Sequence, residues 1–148
     1  MERRGSLLLV EDEDVLRGLV AQFLRNEGYE VVEAGDGAEG IRRFEQDGPF
    51  DLLLVDLKMP VLSGVEVCRQ VKRVDPAQPI LVCSAAITRE SEEALHAVGV
   101  RHFLTKPYHP ESLLAHIRLE LVRRPESGAS AGAAPAVKLP TLAPLGPA

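Results

Sequence analysis

The chain has 148 residues, 45% of them apolar, and a formal net charge of −5, which fits one globular domain and argues against general affinity for nucleic acid or an anionic membrane. Its two cysteines, Cys68 and Cys83, sit among apolar neighbours, which excludes a disulfide framework and points to buried thiols in a reducing cytoplasm. No stretch approaches the ~20 apolar residues of a membrane span, and the apolar run Leu7 to Val10 after the basic start is too short for a signal peptide.

Leu7-Leu8-Leu9-Val10 is apolar without alternation and reads as a strand buried on both faces. It ends in the acids Glu11, Asp12, Glu13 and Asp14. Asp14 is placed to cap a helix whose apolar positions are Val15, Leu16, Leu19, Val20, Phe23 and Leu24, closed by Gly28. Glu30 to Ala34 reads as a shorter strand with the partial alternation of a sheet edge. Asp36 and Glu39 have capping-box spacing ahead of a helix carrying Ala38, Ile41 and Phe44. The third strand, Leu52-Leu53-Leu54-Val55, delivers Asp56 at its end. Ser63 and Glu66 repeat the capping spacing before a helix with the stripe Val67, Val71 and Val74.

Ile80 to Cys83 is a fourth strand ending at Ser84, and Thr88 to Val98 a weaker helix stopped by Gly99, with a solvated acidic face from Glu90 to Glu93. His102 to Thr105 is the fifth strand, followed by Lys106-Pro107. Pro110 suits the first position of a last helix packing through Leu113, Leu114, Ile117 and Leu121. His96, His102, His109 and His116 lack zinc spacing and read as surface residues. The pattern is α/β, a (βα)5 doubly wound parallel sheet of five strands in the flavodoxin-like order 2-1-3-4-5. Residues 1–124 form the domain; 125–148, mostly Ala, Pro, Gly, Ser and Leu, read as a disordered tail or linker.

In that order Glu11, Asp12, Asp56, Ser84 and Lys106 share the carboxyl rim of the sheet, where open α/β sheets gather ligands. Three carboxylates in one cleft repel, and oxygen ligands with open positions suit Mg²⁺, which keeps waters and meets phosphates. Lys106 adds a positive charge and Ser84 a hydroxyl, together a clamp for a transferring phosphoryl group with Asp56 as nucleophile.

Val10-Glu11-Asp12, Asp56 with Met59-Pro60 and Gly64, Ser84-Ala85, and Lys106-Pro107, in this order at successive strand ends, resemble the CheY-like receiver domain of two-component response regulators over residues 6 to about 123. The resemblance implies that Asp56 accepts a phosphoryl group from a phosphohistidine on a sensor histidine kinase or phosphotransfer protein. It further implies that Asp12 and Asp56 hold Mg²⁺ with the backbone carbonyl of Lys58, and that Glu11 acts through water. Lys106 would pair with the phosphate, and Ser84 and Phe103 would switch the face of helix four, strand five and helix five for a downstream effector or a second copy. A cis peptide before Pro107 belongs to the same pattern.

Two positions depart from the family's frequent residues, Phe103 standing for tyrosine and Ser63 for an acid, and Lys58 and Ala86 occupy the two sites that tune phosphoryl lifetime in that family. A phosphohydrolase using Asp56 would want a second acid at position 58, which is lysine. A phosphorylation-independent interaction module would not need the full set of rim residues. Within this chain no segment supports direct contact with nucleic acid.

Overall fold

The computed structural model describes residues 4–123; the tail expected over 125–148 lies outside them. The elements run β1 (Gly5–Val10), α1 (Asp14–Asn26), β2 (Tyr29–Ala34), α2 (Gly37–Asp47), β3 (Leu52–Val55), α3 (Gly64–Val74), β4 (Ile80–Ser84), α4 (Arg89–Ala97), β5 (His102–Thr105) and α5 (Pro110–Arg123). All strand pairs are parallel, and the order is β2-β1-β3-β4-β5, as expected from the alternation, with β2 at an edge.

Helices cover both faces, which is why the inner strands need no polar alternation. Leu7, Leu9, Leu52, Leu54 and Leu81 point to one side with Ala21 and Leu24 of α1 and Leu113 and Ile117 of α5. Leu8, Val10, Leu53, Val55 and Val82 point to the other with Val67 and Val71 of α3 and Leu95 of α4. Cys68 and Cys83 are buried free thiols.

Several helical positions depart from the expected stripes. Val15 and Leu19 are 72% and 65% exposed, and Val74 is 64% exposed. In the pairs Val15-Leu16 and Leu19-Val20 only one member faces the sheet, because a step of ~100° carries its neighbour off the contact line. Ala38 is also exposed, and Gly37 and Gly40 form the buried side of α2. A Cβ on Gly40 would stand 2.9 Å from a Val10 methyl, so glycine lets α2 lie close to β1.

Helix ends follow local chemistry. The cap of α1 is Glu13, which makes no side-chain capping bond; Asp14 lies inside the first turn. Glu13 gives its N–H to Glu11 instead, at 3.1 Å, and Asp14 is paired with Arg17 at 2.9 Å. The expected caps Asp36 and Ser63 do accept from the amides of Glu39 and Glu66. Neither acid completes the box: Glu39 reaches back to Gly35, and Glu66 pairs with Arg69 and Gln70. Thr88 and Ser91 form a full capping box at α4 that the sequence reading passed over. Gly28 and Gly99 end α1 and α4 at φ of 99° and 95°, where side chains other than glycine's are strained.

The histidines are not all surface residues. His96 and His109 are exposed, but His102 and His116 are half-buried. His102 of β5 stands 3.0 Å from the buried carboxylate of Glu120 on α5, which also meets Arg123 at 3.1 Å. Burial pushes the Glu120 carboxyl up to about 7 from 4.5. Burial, then the positive Arg123, His116, Arg101 and Lys72, push His102 down to about 4 from 6.5.

A raised carboxyl gives stability that is lost as pH climbs from 4.5 toward 7, and a lowered imidazole gives stability that is lost as pH falls from 6.5 toward 4. The two slopes oppose each other across their shared window. The combined contribution of the pair is therefore nearly flat between pH 4.5 and 6.5, and Glu120→Gln should gain stability relative to wild type as pH rises through that window. Urea midpoints at several pH values check this; parallel profiles would contradict it.

Candidate functional site

Strand register dictates where the acids fall. Val10 of β1 is aligned with Val55 of β3, so Glu11 and Asp56 leave the sheet side by side. The ladder continues one step past the strands: the Asp56 N–H donates to the Val10 carbonyl at 3.1 Å, and the Glu11 N–H to the Ala34 carbonyl at 3.0 Å. Carboxylate oxygens of Glu11, Asp12 and Asp56 all lie within 4.8 Å of one another, with Glu11 and Asp56 buried and Asp12 more open. Each like-charged pair at such a distance costs about 3 kcal/mol at an effective dielectric of ~20.

Lys106 offsets part of that repulsion. Thr105 pairs with Ser84 across β4 and β5, and the Lys106 N–H donates to the Ser84 carbonyl at 3.1 Å, which turns the lysine over the strand ends. Its Nζ donates to Glu11 Oε1 at 2.6 Å and stands 3.5 Å from Asp56 Oδ2. Burial works to lower the Lys106 ammonium, but the Glu11 hydrogen bond and the charges of Asp56 and Glu11 outweigh it and hold it above its ordinary value. Burial raises the Glu11 carboxyl, against the pull of Lys106 and the Glu13 amide. The short contact is that of a charge-assisted bond, so at neutral pH the two form an ion pair. The peptide before Pro107 is cis, as the resemblance implied.

The remaining expected residues are close by in different ways. Lys58 is exposed and turns its N–H toward Asp56 Oδ1 at 3.4 Å. Ser84 is fully buried, and its hydroxyl accepts from the Ala86 N–H at 3.2 Å rather than meeting Asp56 or Lys106. Phe103 lies off the rim, half-buried against the core on the α4 side, its ring 5.7 Å from that of His96 and tilted by 40°. Beneath Glu11 and Asp56 a small cavity is lined by Val20, Leu54, Cys83, Tyr108 and Leu113. Burial pushes the Cys83 thiol up to about 12, which leaves it inert as a nucleophile beside the acids.

Two residues that bear on the site were missed or left unexplained by the sequence. Arg17 donates to the Glu11 carbonyl at 2.9 Å; its signal was a charge three and four residues before the apolar Val20 and Ala21, on the buried side of α1. Gly64 was noted only as part of a motif. A Cβ there would lie 2.2 Å from the Asp56 carbonyl oxygen and 2.7 Å from Leu57 Cα, so the loop carrying Asp56 rests directly on the start of α3.

Five parallel strands in the order 2-1-3-4-5, with acids and a lysine converging at their carboxyl ends, define a flavodoxin-like α/β domain whose site sits on the strand rim. The model of the response regulator receiver domain matches residues 7–118, and the chain belongs to that family. Among relatives, it is 37% identical over 128 residues to sensory transduction protein RegX3 of Mycolicibacterium smegmatis, covering 86% of this chain and 55% of that protein. It superposes on a CheY-like receiver domain protein of Methanospirillum hungatei with a TM-score of 0.78 at 26% identity, over 84% of this chain and 97% of that one. Chemotaxis protein CheY4 of Vibrio cholerae gives 0.74 at 32% identity, over 82% and 100%. The chain spans about half the length of the curated relatives it matches. Among the described residues no helix is long and apolar enough to cross a membrane.

Proposed function

We propose that this domain is a phosphorylation-controlled switch in which Asp56 takes a phosphoryl group from a phosphohistidine on a sensor histidine kinase or phosphotransfer protein. The observation that carries this reading is the clustering of Glu11, Asp12 and Asp56 within 4.8 Å, with Lys106 bridging two of them. Membership of the receiver family supports it.

The donor set fits Mg²⁺: only oxygen ligands, one of them on an open side chain, and more negative charge than one lysine neutralises. Asp12 and Asp56 would hold the ion with the Lys58 carbonyl, and Glu11 through water. When bound, Mg²⁺ would neutralise charge on the transferring phosphoryl oxygens and on the acids.

Asp56 Oδ2 would be the attacking atom; the new O–P bond forms as the N–P bond of the donor phosphoimidazolium breaks, and the electron pair stays on that nitrogen, so the ring leaves as neutral imidazole. Lys106 is already within 3.5 Å of that oxygen, so a small rotation exchanges Glu11 for a phosphoryl oxygen. Ser84 would leave the Ala86 amide to donate its hydroxyl to another, and Phe103 would move into the space vacated. That rearrangement would alter the face of α4, β5 and α5 on which an effector or a second copy docks.

Lys106→Met tests the electrostatic part. It leaves Glu11 and Asp56 together without their cation, so the metal-free protein is expected to lose about 2 kcal/mol of stability, below the ~3–5 kcal/mol of a fully buried pair because the site is partly open. Added Mg²⁺ should recover most of the loss. Urea unfolding with EDTA and with Mg²⁺ measures both; an unchanged midpoint in EDTA would contradict the account.

A further inference from the structure

We propose that Arg17 is a positioning residue for the acidic site: its guanidinium fixes the main chain carrying Glu11 and Asp12 in the arrangement that receives the cation. This rests on the cation-site reading given above.

The peptide after β1 has a specific need. Glu11 lies one residue past the last position of the strand; its N–H is taken by Ala34, but its carbonyl has left the ladder. Arg17 supplies the missing partner, Nη1 donating to that carbonyl at 2.9 Å. The same guanidinium is held from two other directions, by Asp14 Oδ1 at 2.9 Å on Nη2 and by Glu33 Oε1 at 3.3 Å on Nε. Glu33 belongs to β2 and is itself braced by Arg25 at 3.1 Å. With 19% of its side chain exposed, Arg17 is wedged between loop, helix and sheet edge.

Two hydrogen bonds and one ion pair engage three separate nitrogens of one rigid planar fork, a geometry an ammonium lacks. Fixing a residue's backbone costs conformational entropy. A loop whose acids are already aligned meets that cost during folding rather than when the ion binds. Groups that orient ligands from behind in this way typically contribute ~10–100-fold in metal affinity.

The test is Mg²⁺ titration followed by amide NMR shifts on wild type, Arg17→Lys, Arg17→Gln and Glu33→Gln, together with amide hydrogen exchange in EDTA. Both Arg17 variants are expected to bind Mg²⁺ about 10-fold more weakly, with faster exchange at Glu13, whose N–H is bonded to Glu11. Glu33→Gln, which removes one brace of three, is expected to fall between them and wild type. Folded variants that bind within about twofold of wild type overturn the proposal. So does full affinity in Arg17→Lys with loss only in Arg17→Gln, since charge alone would then be enough. A wild type that binds no Mg²⁺ would instead remove the cation-site reading, a separable failure.

Discussion

Asp56→Asn is expected to abolish phosphoryl uptake from a small phosphodonor while making the metal-free fold more stable. Asparagine keeps the shape and can still accept from the Lys58 N–H, but its amide is a poor nucleophile and carries no charge for the cation. Removing one of three carboxylates within 4.8 Å relieves two repulsions and gives up the 3.5 Å attraction to Lys106. The balance favours the variant by about 1 kcal/mol, the usual direction when a strained functional group is neutralised. Urea midpoints in EDTA should rise, and Mg²⁺, which raises the wild-type midpoint, should have little effect on the variant. A less stable variant, or one that Mg²⁺ stabilises as strongly, would mean that Asp56 is not part of the repelling cluster.

Gly64→Ala is expected to be the most damaging single methyl in the described residues that the site can receive. The added carbon would meet the Asp56 carbonyl oxygen at 2.2 Å, Leu57 Cα at 2.7 Å and the Asp56 carbonyl carbon at 2.9 Å, all backbone atoms unable to swing away. Overpacking of this kind costs about 3 kcal/mol, and relaxation has to displace Asp56 itself, so Mg²⁺ affinity should fall along with the midpoint. Gly18→Ala is the matched control. Nothing lies within 4 Å of its Cβ position in α1, and alanine there should add about 1 kcal/mol. Equal effects of the two substitutions would contradict the packing account.

The central strands were legible because burial on both faces leaves an unmistakable mark: Leu7 to Val10 and Leu52 to Val55 have no polar residue to interrupt them. Once strand order was set, the meeting of Glu11, Asp12, Asp56 and Lys106 followed from register alone. Helix phase was less legible. Val15-Leu16 and Leu19-Val20 offer two apolar neighbours at each step, and spacing does not say which one faces the sheet. Glycine as a packing surface, at Gly37 and Gly40, was invisible for a related reason: its contribution is the absence of a side chain.

Charged residues drawn inward by distant partners were hardest to see. Arg17 is bound to Glu33 across the turn to β2, and Glu120 to His102 from an adjacent element. Such pairs are decided by tertiary approach: spacing puts Arg17 on the buried side of α1 but does not say which partner draws it in. The proposed switch residue Phe103 is a similar case. Phe103 was placed on β5 by its sequence, but its contact with His96 of α4 depends on how that helix lies on the sheet.

The phosphoryl-acceptor reading is tested most directly by incubating the protein with phosphoramidate, with Mg²⁺ or with EDTA, and mapping any modification by mass spectrometry after borohydride trapping. One acyl phosphate on Asp56, formed only with Mg²⁺, is the predicted result. Modification at another residue, none at all in a folded protein, or equal labelling in EDTA would contradict it.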